Sequence, residues 1–279
     1  MPDDILPHDI IEATNPDLAD VPQVLERLKA IQDILDKELR DRLGEEIADP
    51  ADHVDLDAAF ASMAKRTDGL ACFNYLYRVI TAEINVKIED ENFFHDNDFL
   101  TKFDVAFAQR YLGAIRKYTD QHEYGTAPAC WRVLFENREN PKISPMQFAI
   151  AGVTCHVWLD LPIALVNVCK ETKKTLDVGV HDDFQEVNII FYEKIPKLRR
   201  HFENTSEREL DHSIIKRLTN HMCDFTVMWA RDRAWRHGMK LWDEWGPGDE
   251  PKDEEKVAET EKELDNHAAF MVRATLGLL

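Results

Sequence analysis

The sequence predicts an all-α fold, a single-domain helical bundle around a central pocket. Three observations predict it. Apolar residues recur at spacings of three and four through most of the chain, the period that gathers them on one helical stripe. Breakers are few, 10 glycines and 12 prolines in 279 residues, and many of the prolines fall between apolar stretches rather than inside them. No segment of any length alternates apolar and polar residues as a half-buried strand would.

Residues 1–20 read as an extended, acidic, proline-containing lead-in. From Val21, the positions Val24, Leu25, Leu28, Ile31, Ile34, Leu35 and Leu39 form an amphipathic stripe, with Asp20 placed to cap it and Pro22 in the first turn. After a polar break, helices are expected over about 69–88 and about 97–118, and another in PACWRVLFENRE. The segment 144–174 is apolar on nearly every face, which predicts the central buried helix, and Pro162 should kink or break it near Asp160. Two further helices are expected over about 181–202 and about 211–243, closing a helical domain at 21–245. Residues 246–256 read as an acidic linker and 257–279 as an amphipathic helix that packs on the body or on a second copy of the chain in a homodimer.

Lys and Arg number 34 against 53 Asp and Glu, a formal net charge of −19, so the mean field repels phosphate backbones and nucleic acid is not an expected partner. The five cysteines show no CxxC pair, which fits a reduced compartment, and the N-terminus is too acidic and weakly apolar for a signal peptide. The expectation is a cytoplasmic protein with no membrane span.

Polar residues interrupt the apolar faces in four places. His156 and Asp160 are four apart on one face of the 144–174 helix, where a buried pair needs partners. They either satisfy each other and the backbone freed at the kink, or face a polar pocket. Asp182, Asp183 and Glu186 form a DDxxE string, with Asn188 in the apolar stripe below. Acidic residues suit a helix N-terminus on dipole grounds alone, yet an oxygen-only set also suits Mg²⁺. Arg231 and Trp235 share a face with Asp224 and Met228, an arrangement equally suited to an anion clamp or an ion pair. Asp104, Phe107, Arg110 and Tyr111 share another face. Four such clusters predict one polar pocket with aromatic walls, Phe107, Trp158, Phe184 and Trp235.

The order GLACFNYLY, FDVAFAQRYLGAI, CWRVLFE, CHVWLDLPIAL, HDDFQEVN and ARDRAWRHGMKLW resembles the DUF5995 family of helical proteins over roughly residues 65–245. His156, Asp160, Leu161, Asp183, Phe184, Asn188, Arg231, Ala234 and Trp235 stand at its motif positions, and Trp158 departs from the usual Asn. In size, helicity and motif order the chain is also similar to the atypical class I humulene cyclases of fungi. That resemblance implies a class I terpene-cyclase fold and Mg²⁺-dependent ionisation and cyclisation of farnesyl diphosphate, a prenyl diphosphate, to a sesquiterpene of the humulene type. On that reading Asp160, Asp183, Glu186 and Asn188 hold Mg²⁺, while Arg231, Arg110 and Arg199 hold the diphosphate. Asp160, Asp183, Asn188 and Arg231 carry the catalysis. Asp104, Phe107, His156, Trp158, Phe184 and Trp235 line the pocket. No second metal motif of the Asn–Ser–Glu type follows the DDxxE string.

Two other readings stand beside it. A metal-dependent phosphoester hydrolase would use His156, Asp160, His181 and Asp183 as ligands for a metal-bound water. A non-catalytic helical binding or scaffold protein would use the same clusters as ion pairs that fix helix register.

Overall fold

The stripe Val24, Leu28, Ile31, Leu35 and Leu39 is fully buried along one side of helix α2 (Val21–Leu43). It meets a second helix that is apolar nearly all round, α3 (Gly69–Glu89), and the two pack along their lengths. The structure, a computed structural model, describes residues 6–7, 9–43, 68–90, 93–120, 122–188, 226–246, 248 and 250–279. Ahead of α2, the lead-in is not wholly extended. Leu6, Ile10 and Ala13 are apolar enough to bury themselves, and Ile10–Ala13 winds into one turn, α1, against α2 and the helix that follows α3.

That helix is α4 (Asn97–Thr119), capped by Asp96, whose carboxylate accepts from the Phe99 amide at 2.9 Å. Helix α5 (Ala129–Glu136) is short and starts behind Pro128. Its first amides donate to Asp265 at 2.7 and 2.9 Å, so a distant side chain supplies the cap. Helix α6 (Pro145–Cys155) opens with a Ser144–Gln147 capping box and Pro145 in its first turn.

α6 runs through a π-helical turn (His156–Asp160) into α7 (Leu161–Thr172), so 144–174 is one rod with a wide turn in its middle. Pro162 explains the place. It has no N–H to give to the Trp158 carbonyl, and its ring would crowd that carbonyl in a regular turn. The chain accommodates this with one extra residue just upstream, where it brings His156 and Asp160 together.

The rod is the centre of the fold. α3 packs on α6, α4 on α7, and α9 (Thr226–Trp245) on α7 and the π turn. α10 (Glu254–Leu276) lies on α5, α6 and the π turn, so the C-terminal helix docks on the body. Gly152 makes the α3–α6 approach: a Cβ there would sit 2.2 Å from Cγ of Phe73. Between α7 and α9, residues 178–188 form helix α8, starting earlier than the expected 181. Its expected continuation to 202, and the start of the helix expected from 211, lie outside the described residues. So does Arg199.

The described residues form no strand. Pro145–Thr172 is long and apolar enough to cross a membrane by length and composition, with a mean hydropathy of 1.7 over its most apolar window. Of that window 89% is buried inside the bundle, as a central core helix would be.

Candidate functional site

The wide turn in the central rod places His156 and Asp160 side by side at the heart of the bundle. His156 is 3% exposed and Asp160 0%. Nδ1 of His156 lies 3.0 Å from Oδ2 of Asp160, which also accepts from the Trp131 indole at 3.0 Å. The carboxylate therefore assigns the imidazole proton to Nδ1 and leaves Nε2 as the bare nitrogen. Arg110 Nε stands 3.5 Å from the other carboxylate oxygen, in ion-pair reach but without hydrogen-bond geometry. Burial pushes the His156 imidazole below its usual value despite Asp160, so it is held neutral.

Aromatic rings enclose the imidazole. Phe107 stacks on it face to face, centroids 3.5 Å apart, and Tyr77 meets it edge-on at 4.6 Å. His156, Phe107 and Tyr77 line a cavity of about 60 Å³ together with Phe73, Asp104 and Arg231. A drug-sized ligand pocket holds about 300 Å³ or more, so this space suits a few waters or a small fragment. His156 Nε2 and Asp104 Oδ2 are buried there and have no hydrogen-bond partner among the described residues. Burial raises the Asp104 carboxyl to about 7.

Arg231 closes one end. Its Nε donates to Asn188 Oδ1, one of its terminal nitrogens donates to the Phe184 carbonyl at 3.1 Å, and its guanidinium lies 4.4 Å from the Phe184 ring centre. Burial lowers it to about 9. The same side chain ties α9 to α8.

Other expected site residues lie elsewhere. Asp183 accepts from the amides of His95 at 2.7 Å and Asp96 at 3.0 Å, capping the entry to α4 with both oxygens. Asn188 joins Gln185 and Arg231. Glu186 is half-buried. Among the described residues no three of His, Cys, Asp and Glu converge to hold a metal ion, so Asp160, Asp183 and Glu186 do not form one ligand set. Asp183 is committed to two backbone amides, Asp160 Oδ2 to the Trp131 indole and the imidazole, and Asn188 to Arg231, so among the described residues these side chains do not converge on one ion.

Trp158 points away from the cavity, stacked on His267 of α10 at 4.9 Å with the Arg233 guanidinium 5.3 Å from its ring. Two residues past His156 the helix has turned nearly half-way round, which sends Trp158 to the opposite face. Phe184 and Trp235 pack on each other at 5.2 Å, behind the wall rather than in it. Of the residues expected to line a pocket, Asp104, Phe107 and His156 line this cavity. Phe73, Tyr77 and Trp131 were not legible as site residues, because their aromatic spacing on α3 and α5 is that of ordinary core.

A family model described as a family of unknown function, DUF5995, matches residues 21–276. The chain belongs to this family. No curated protein matches it, and no solved structure does. The DUF5995 match runs from the start of α2 to the end of α10 and takes in every residue of the cavity, so the His156–Asp160 pair and its aromatic surround lie within the family's own domain.

Proposed function

We propose that this chain is an enzyme that moves a proton on a small, mainly apolar substrate held in the cavity, with His156 as the base and Asp160 as the group that positions it. One observation carries the reading: a buried imidazole, oriented through Nδ1 by a carboxylate, has a bare Nε2 with no partner among the described residues in an aromatic-walled cavity. A purely structural histidine at that depth would satisfy both nitrogens. Here one nitrogen is positioned and the other kept open, the arrangement general base catalysis needs. Stacking on Phe107 and the edge of Tyr77 fixes the ring plane, and the apolar walls exclude competing water. Asp104, half protonated near neutrality, is matched to return the proton.

The test uses 3-methylbutan-2-one in D₂O, with exchange of its α-protons followed by proton NMR. Wild-type protein should exchange it faster than His156→Gln by about tenfold or more, the lower part of the range for a positioned general base. Because the imidazole titrates below its usual value and Asp104 at about 7, the rate should rise as pH falls through about 7, where Asp104 gains the proton it returns, and fall only in buffer more acidic than about pH 6.5. Equal rates for wild type and His156→Gln would overturn the reading.

A second reading is favoured by the ring faces of Phe73, Phe103, Phe107 and Tyr77 around the cavity, which suit a carbocation. On it the chain cyclises a prenyl diphosphate with Mg²⁺, and the wall opens to admit a chain far larger than about 60 Å³. A Mg²⁺-dependent hydrocarbon from geranyl or farnesyl diphosphate, lost with EDTA, would replace the first reading with this one.

A further inference from the structure

The wall of the cavity offers acceptors with nothing to accept. His156 Nε2 and Asp104 Oδ2 are both buried, both unpartnered among the described residues and both of residues on its lining, as is the hydroxyl of Tyr77, which can accept as well as donate. Asp104 stands one turn before Phe107 on the same face of α4, Phe107 lies flat on His156, and Tyr77 is near both Asp104 and the imidazole, so the two acceptors line one cavity. Among the described residues the groups facing Asp104 from the packed elements are few. α3 presents Tyr77, a phenol that burial and the nearby Asp104 keep well above its usual value and therefore neutral. The π turn presents neutral His156 with Asp160 behind it. α9 presents Arg231, which is held by Asn188 and the Phe184 carbonyl, and α4 itself carries Arg110, which is paired with Asp160. α7 contributes Leu161.

A ligand that satisfies these acceptors brings hydrogen-bond donors, a positive charge and a body that likes aromatic faces. We propose that the cavity takes a small organic cation, an ammonium on a short branched alkyl body, with Asp104 as its counter-charge, His156 Nε2 as its second acceptor and the rings of Tyr77 and Phe107 around its charge. The proposal rests on reading the cavity as a ligand site, and an ammonium bound there occupies His156 Nε2 and the ionised Asp104, so it competes with the proton-transfer substrate rather than serving as one. A body of about five non-hydrogen atoms fits a space that would otherwise hold a few waters.

The experiment is calorimetric titration of the full chain with isobutylammonium, isobutanol and isobutyrate between about pH 5.5 and 8.5, a range that brackets the Asp104 titration. The ammonium keeps its proton throughout, whereas Asp104 must lose its own to bind it. Affinity for the amine should therefore rise about tenfold per pH unit below about pH 7 and level off above it. Isobutanol should bind more weakly and without that slope, and isobutyrate should not bind. Asp104→Asn should weaken the amine by about tenfold or more, as loss of a charge-assisted contact does, and leave isobutanol unchanged. If that variant does not fold, the wild-type pH slope decides. Equal affinity for amine and alcohol in the alkaline buffers, preference for isobutyrate, amine binding indifferent to Asp104→Asn, or no binding of any probe would each overturn the proposal. Amine binding with His156-independent proton exchange would sink the catalytic reading and keep this one. The reverse pattern would keep proton transfer and discard the cation.

Discussion

Replacing Asp104 by Asn removes one ionisable group from the cavity and changes little else in shape, so its effect on stability should depend on pH in a calculable way. In the folded protein the carboxyl titrates at about 7 because burial disfavours its charge, against an ordinary value of 3.8. The folded state thus holds a proton that the unfolded chain has already released, and wild-type stability falls as pH rises between those values. Asparagine binds no proton in either state. Each pH unit crossed between the two values costs the wild type about 1.4 kcal/mol, so the stability of Asp104→Asn relative to wild type should grow by roughly 2.5 kcal/mol between about pH 5 and pH 8. In urea, with a slope of about 3 kcal/mol/M, the gap between the two midpoints should widen by about 0.8 M over that range. Urea unfolding of both proteins in a series of buffers across that range, followed by circular dichroism, reads this directly. A gap that stays constant with pH would refute the reasoning, since it would mean the carboxyl titrates alike in both states.

Asp183→Ala should destabilise by about 1–3 kcal/mol through the two orphaned amides at the entry to α4, with faster hydrogen exchange there and unchanged ketone exchange; lost turnover in a folded variant would instead point to a substrate or metal contact. Asp160→Asn presents an amide to His156 Nδ1 in place of a carboxylate, so ketone exchange should fall towards the His156→Gln rate while near-ultraviolet circular dichroism reports the Trp131 environment. Gly152→Ala forces a Cβ to within 2.2 Å of the Phe73 ring. It should lower stability by about 1–3 kcal/mol in thermal unfolding. A melting temperature equal to wild type would show that α3 and α6 can separate at little cost.

The helices were legible because burial imposes a period. α2 carries its stripe at threes and fours and stands within a few residues of where that stripe puts it, while α3 and the central rod are marked by being apolar all round. Asp160 and Pro162 mark the irregular turn in the bare string of residues, because a proline that deep leaves the backbone no regular solution. Asp183 was misleading for an equally physical reason. A carboxylate on an apolar face signals that something must satisfy it, and sequence cannot say whether that is a cation or the amides of a helix entry 87 residues away. Trp158 shows a different limit: its proximity to His156 along the chain suggested a shared pocket, whereas helical rotation separates them. Trp131 carried no signal at all, since an indole that donates to Asp160 and one that only fills space look the same in a string of letters.

The wide turn at His156–Asp160 also has a consequence for ancestry. A π turn is a regular helix with one residue inserted, and its wider turn absorbs that residue, so deleting a single residue from Val157 to Leu159 would restore an unbroken α-helix and leave α7 facing α4 and α9 nearly as before. His156 and Asp160 would stand three apart instead of four, and the spacing that sets Nδ1 against Oδ2 would be lost. The dyad therefore hangs on one inserted residue, whereas the packing around it does not. Relatives with that residue and those without it should divide into two groups, distinguishable by counting residues between the histidine and the proline.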